Sequence, residues 1–402
     1  MRLAVVTTHP IQYYAPLFRL LAKESEITLK VFYTWSQSAG GAKFDVDFGK
    51  MIEWDIPLLD GYDYVFVNNM AKNPGLHHFN GIRNPGLISE IRSWNAEFLM
   101  VIGWNFRSHL SCMRHFKGSI PVLFRGDSTL LDEKPGLKKK LRRIFLRWVY
   151  SHVDYALYVG KNNLDYFRVH NLREDQLIWM PHAVDNQRFI GNGTFDVEAG
   201  SWRRELGISE DDLVLLFAGK LESKKDPEFF IRLAGNLSDK RLKFILVGNG
   251  KLEDELKTKS SGDTRIIFLN FQNQQKMPVV YRLGDIFVLP SVGPGETWGL
   301  AVNEAMACKR PAIVSSKCGC APDLVKENNT GWVFEPGSAG EQKIKKEMEH
   351  LLNSRCVLDS MGEQAQHAIQ SYSYTVDVER ICQLMKKIES SKIKTNIKSI
   401  AG

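Results

Sequence analysis

No apolar run in this chain of 402 residues approaches the roughly 18 that a membrane-spanning helix needs. Cysteine is scarce too: there are six, and only Cys318 and Cys320 lie close together. A lone C-x-C without a second pair or nearby histidines matches no zinc pattern, so reduced thiols in a cytoplasmic setting are expected. A leader is not evident either. "MRLAVVTTHP" meets His9 and Pro10 after a short apolar run and reads as a first strand, not a signal peptide. The sequons at Asn192, Asn236 and Asn328 then read as chance matches. No short-period repeat and no low-complexity tract interrupts the chain. What is present, 44% apolar and 25% charged residues, is the composition of a soluble globular protein. The length favours two domains of about 150–200 residues.

Short apolar runs alternate with helical patterns, as a parallel α/β sheet requires. In the first half, residues 3–8, 28–34, 97–103, 121–126, 155–160 and 176–181 read as strands, with a helix over 15–25. In the second half the strand candidates are 213–219, 244–250, 265–270, 286–291 and 311–316. Between the halves, "PHAVDNQRFIGNGTFDVEAG" (181–200) has little periodicity and reads as a linker. Two doubly wound domains would face a cleft at the carboxyl ends of their strands, where ligands bind. The last residues, from "MKKIESSK" onward, are basic and expected to fray.

Chemistry concentrates in the second half. In "LLFAGKLESKKDPEFF", Lys220 follows the turn glycine Gly219, and Lys224 and Lys225 precede a helix. Lysines aimed into a cleft suit a phosphate ligand; the alternative is an exposed basic loop. In "GPGETWGLAVNEAM" (293–306) a helix is expected near Gly299, with free amides at Gly299, Leu300 and Ala301 that would hold an anion. Glu296 and Glu304 flank that terminus. Like charges repel, so neither should hold a phosphate. Each suits a hydroxyl on either side of it, as in a nucleotide sugar. The alternative is a helix-terminus charge and a solvated side chain.

The motifs "GKLESKKDP", "LVGNGKLEDELK", "YRLGDIFVLPS", "ETWGLAVNEAMACKRPAIVSS" and "GCAPDLVKENNTGWVFEPG" stand in order between Leu213 and Gly337. Together they resemble the C-terminal domain of retaining glycosyltransferases of family 4. "MPHAVDNQRF" resembles the segment entering that domain, with Ala183 for the usual glycine, and "SYSYTVDVERI" resembles the family's terminal segment. "THPIQYYAPLFRLLA" and "VLFRGDS" look like one subgroup of these enzymes.

The resemblance implies an α/β chain of the GT-B fold, two Rossmann-like domains facing a central cleft. An acceptor domain would occupy 1–183 and a nucleotide-sugar domain 184–372. A helix within 373–402 would cross back to the first domain. It implies that Lys220 and Lys225 meet the donor diphosphate, that Glu296 reads the transferred sugar, and that Glu304 reads the ribose. Gly219, Thr297, Gly299 and Leu300 would approach the phosphates, and Phe271 and Gln272 would enclose the base. In the first domain, relatives carry a glycine pair where this chain has His9, Pro10, Ile11, Gln12 and Tyr13. His9 and Gln12 are candidates for donor or acceptor contacts. Arg125 and Asp127 stand where relatives often place an active-site histidine.

The implied activity is transfer of a hexosyl unit with retention of configuration, without metal or other cofactor. A UDP-sugar is the first expectation for donor and GDP-mannose the second, with a glycan or lipid-linked acceptor in surface polysaccharide or glycoconjugate synthesis. A sugar-nucleotide epimerase, a phosphorylase or a non-catalytic sugar-nucleotide-binding subunit are the alternatives. Nucleic-acid binding is not expected, since no base-reading motif adjoins the basic residues.

Those basic residues form a run of their own. Between Lys134 and Arg147 stand seven Lys/Arg and no acid. On a helix over 137–148, Leu137, Leu141, Ile144, Phe145 and Trp148 share one face. Such a helix either lies peripherally on an anionic membrane surface or turns its apolar stripe to its own core.

Overall fold

A computed structural model describes the backbone of residues 1–38, 43–45, 50–52 and 54–400, with side chains outside 38–53 and 392–400. Seven parallel strands form the first sheet. They are β1 (Arg2–Thr7), β2 (Thr28–Tyr33), β5 (Asp63–Phe66), β6 (Phe98–Ile102), β7 (Val122–Arg125), β8 (Tyr155–Tyr158) and β9 (Leu177–Trp179). Their order is β5-β2-β1-β6-β7-β8-β9. A short antiparallel pair, β3 (Lys43–Asp45) and β4 (Lys50–Ile52), lies outside it. The second sheet comprises β10 (Leu213–Ala218), β11 (Leu242–Val247), β12 (Ile266–Leu269), β13 (Ile286–Leu289), β14 (Ala312–Ser315) and β15 (Gly331–Phe334). It is also parallel throughout, in the order β12-β11-β10-β13-β14-β15.

Helices on both faces explain the apolar runs. Leu3 to Val6 in β1 and Leu213 to Phe217 in β10 are entirely buried, so neither face needs polar residues. Each sheet reverses its direction of winding once, between β1 and β6 and between β10 and β13. A crevice opens at such a switch point, beyond the carboxyl ends of the strands. The loops there are 8–14 and 103–106 in one domain, 219–228 and 290–299 in the other.

Three expectations need correction. Residues 181–200 are not a loose linker: Asn186–Ile190 and Thr194–Glu205 are helices, with Phe189 and Ala199 inside the second domain's core. Asp185 caps the first through Arg188 N, and the left-handed Gly191 and Gly193 separate the two. The terminal residues do not fray where expected. The helix Tyr374–Ile400 continues through them, burying Ile381, Met385 and Ile388 among first-domain residues such as Leu17 and Leu21. Within the two parallel sheets, β5 and β15 lie outside the expected set, and each is the outermost of its sheet; the short pair β3 and β4 lies outside the expected set too.

Candidate active site

The second domain brings its motif residues to one cavity of about 440 Å³, lined by Gly219, Lys220, Lys225, Phe271, Gln272, Glu296, Gly299, Leu300 and Glu304. Gln12 and Tyr13 close it from the first domain. The loops approach closely because glycine allows it. A Cβ on Gly248, at φ +135°, would sit 2.0 Å from the Gly219 carbonyl oxygen. Gly299 (φ +104°) opens the helix Leu300–Ala307, and Gly299, Leu300 and Ala301 all line the cavity. First-turn amides have no acceptor within their own helix, so this wall offers donors to an anion.

Glu296 and Glu304 occupy different environments. Lys225 Nζ donates to Glu296 Oε2 at 2.7 Å, and Ser291 Oγ to the same oxygen at 3.0 Å. Ammonium and carboxylate thus stand side by side at the helix start, one suited to an oxyanion and the other to hydroxyls. Glu304 is only 2% exposed, which excludes a solvated role. Its Oε2 accepts from the Tyr281 hydroxyl at 2.6 Å, while Oε1 is buried without a hydrogen-bond partner. Burial pushes its carboxyl above the usual range, against the pull of Tyr281, Arg188 and the nearby Tyr13 hydroxyl, which does not reach full hydrogen-bond geometry. A buried polar atom left unpaired costs about 1–3 kcal/mol, which a ligand hydroxyl would relieve.

The first-domain candidates sit differently. Asp127 Oδ2 accepts from Thr297 Oγ1 at 2.8 Å, so both are engaged across the cleft. Burial would raise the Asp127 carboxyl, but His182, Thr297 and Arg125 outweigh it and hold it at about 2. Arg125 does not open onto the large cavity. It is 2% exposed, and its guanidinium donates to the carbonyls of Leu157, Met180 and Pro181, pinning the interdomain crossing. Arg125 and Asp127 instead line a smaller cavity of about 170 Å³ with His182, Tyr14, Tyr374 and Asp377. Tyr13 and Leu300 border both cavities. His9 lines neither; its Nδ1 lies 2.9 Å from Thr8 Oγ1. Cys320 is fully buried, and burial pushes its thiol far up, so it packs rather than reacts. Sequence reasoning passed over Tyr281, His182 and Asp377. All three lie inside quoted motifs, but only their burial sets them apart.

The model of the glycosyl transferases group 1 family matches residues 199–368, the part of the chain that carries Lys220, Lys225, Glu296 and Glu304. The second domain is a group 1 glycosyltransferase domain. A D-inositol 3-phosphate glycosyltransferase of Corynebacterium aurimucosum is 30% identical over 256 residues, 61% of this chain and 59% of the relative. A UDP-Gal:alpha-D-GlcNAc-diphosphoundecaprenol alpha-1,3-galactosyltransferase of Escherichia coli is 29% identical over 167 residues, 39% of this chain. The match spans 59% and 40% of the lengths of these two relatives. The crystal structure of Anabaena HepE in complex with UDP superposes with a TM-score of 0.70 at 14% identity, covering 96% of this chain and all of that one. The fold of the whole chain is therefore GT-B, with the group 1 domain as its second half.

Proposed function

We propose that this group 1 glycosyltransferase moves a hexosyl unit from a nucleotide sugar to a glycan or lipid-linked acceptor, with retention of configuration. The observation that carries this reading is the pairing at one helix start. Lys225, paired with Glu296, lines one cavity together with the helix start at Gly299–Ala301 and with Glu304, whose Oε1 has no hydrogen-bond partner. A diphosphate between a sugar and a ribose satisfies all of them. In the reaction the bond from the anomeric carbon to the β-phosphate oxygen breaks and one to the acceptor oxygen forms. The leaving diphosphate gains negative charge, which Lys220, Lys225 and the amides stabilise. It takes up the acceptor's proton on the same face. The reading needs no metal or other cofactor, because these cations supply the positive charge. A UDP-sugar is favoured over GDP-mannose. The E. coli relative's name joins a UDP-sugar to a lipid diphosphate acceptor, in keeping with surface glycan synthesis on the cytoplasmic side.

A panel of UDP- and GDP-sugars tests this, by thermal shift and by nucleoside diphosphate release. One UDP-sugar should raise the melting temperature and release UDP. A flat panel, or donor isomerised without acceptor, would overturn the reading. Chelator should leave turnover intact; complete loss restored by a divalent ion would refute the metal-free scheme.

A further inference from the structure

The basic helix resolves the choice left open by the sequence. Leu137–Tyr150 is helical, but its apolar stripe does not face the core. Leu137 is 77% exposed, Leu141 68%, Ile144 65%, Phe145 44% and Trp148 42%. The helix is anchored by other side chains, Leu146, Val149 and Tyr150, each nearly fully buried. Five large apolar residues in one exposed stripe mark an interaction surface.

The charges around the stripe are not placed for helix stability. Lys138, Lys139 and Lys140 crowd the first turn, where the helix dipole disfavours cations, and Gly136 provides no side-chain cap. Glu133 pairs with Lys139 at 2.8 Å and Arg143 at 2.7 Å. Lys138, Lys140, Arg142 and Arg147 form no ion pair among the described residues. A rim of unpaired cations attracts negative charge from outside the chain. A second copy is a poor source, since a twofold contact would set one cationic rim against another. A nucleic acid offers phosphates but no place for Leu141 and Ile144. An anionic bilayer offers both, head groups for the rim and an acyl boundary for the stripe. Trp148 and Phe145, with Trp104 against Phe145 at 5.7 Å, are the aromatic kind that settles at that boundary.

We infer that the exposed face of Leu137–Trp148 is a docking surface for an anionic lipid bilayer. The helix follows a loop in which Asp127 holds Thr297 and Asp132 Oδ2 accepts from Gly295 N at 2.8 Å. The docking helix therefore begins just after a loop that touches the second domain next to Glu296. The surface goes beyond the transfer reading, and its test uses neither donor nor acceptor.

The test is flotation of the full chain with vesicles, either phosphatidylcholine alone or phosphatidylcholine with about one third phosphatidylglycerol. The chain should float with the anionic vesicles only, and less at high salt. L141S/I144S alters only exposed positions, so folding survives; it should lower the bound fraction tenfold or more. Neutralising Lys138, Lys140 or Arg142 with alanine should cost about fivefold each. Absence of flotation with anionic vesicles would overturn the inference. So would flotation that both sets of variants leave unchanged, or a solution dimer that L141S/I144S dissolves.

Discussion

The two walls of the cleft are built from similar residue types and do opposite things with them. On the second-domain wall, charged groups stay available to a ligand: Glu304 keeps an unpaired oxygen, and Lys225 holds a carboxylate that a phosphate can displace. On the first-domain wall, the loop carboxylates Asp127 and Asp132 are engaged across the cleft, while Asp377 Oδ1 behind them stays unpaired. Asp127 grips Thr297, Asp132 grips the Gly295 amide, and Arg125 ties the Met180 and Pro181 carbonyls at the crossing to Leu157 of β8. On the proposed reading, one wall serves the donor, while Asp127 and Asp132 of the other serve the junction. Preorganised charge is what stabilises a charged leaving group, so the first wall to fail under mutation should be the second domain's.

The largest expected effect breaks that wall at Glu296. Glu296→Ala removes the partner of Lys225 and, on the proposed reading, the acceptor for the transferred sugar's hydroxyls. Turnover should fall by about 10²–10³ while UDP affinity stays within about threefold. Initial rates together with calorimetric UDP titration check it; near-normal turnover sinks the assignment. Next is Glu304→Ala, which removes the unpaired Oε1 that the proposed reading assigns to the ribose. UDP binding should weaken about tenfold, the worth of one hydrogen bond to a charged group. If the two variants lose binding and turnover in equal proportion, the division of labour between the carboxylates is wrong.

This asymmetry also explains what was legible. The second domain's strands read as apolar runs because both faces are buried, and its ligand groups stand at fixed offsets from turn glycines. The edge strands β5 and β15 escaped because their tetrapeptides, "DYVF" and "GWVF", are short, the first opening on an exposed aspartate and the second on a glycine that reads as a turn. In the first domain the distinction that matters is tertiary. Arg125 and Asp127 are two residues apart, yet one points its guanidinium back at the crossing and the other reaches the opposite domain. No local pattern separates them. The basic helix was legible as amphipathic, but the side that packs, Leu146 with Val149 and Tyr150, depends on where β7 and β8 stand.

The smallest effect sharpens the contrast within the first-domain wall itself. The small cavity holds two carboxyls, Asp127 and Asp377, with Arg125, His182, Tyr14 and Tyr374 around them. Asp127 is held at about 2 and stays ionised. Asp377, 2% exposed and with Oδ1 unpaired, is pushed by burial up to about 8, against the pull of Arg125. An unfolded aspartate titrates near ~3.9. A folded value above the unfolded one gives stability that is full below pH ~4 and is lost as pH rises towards 8, where the loss levels off. Asp377→Asn removes this titration while keeping the shape. Denaturant midpoints for the two proteins should therefore diverge between pH 6 and 8, with wild type losing up to about 1 kcal/mol per pH unit relative to the variant. Above pH ~9 the two curves should run parallel. Curves parallel from pH 6 upward would mean that Asp377 is ionised throughout, like Asp127. The two acids of the junction would then be alike, and the wall would carry one kind of carboxylate rather than two.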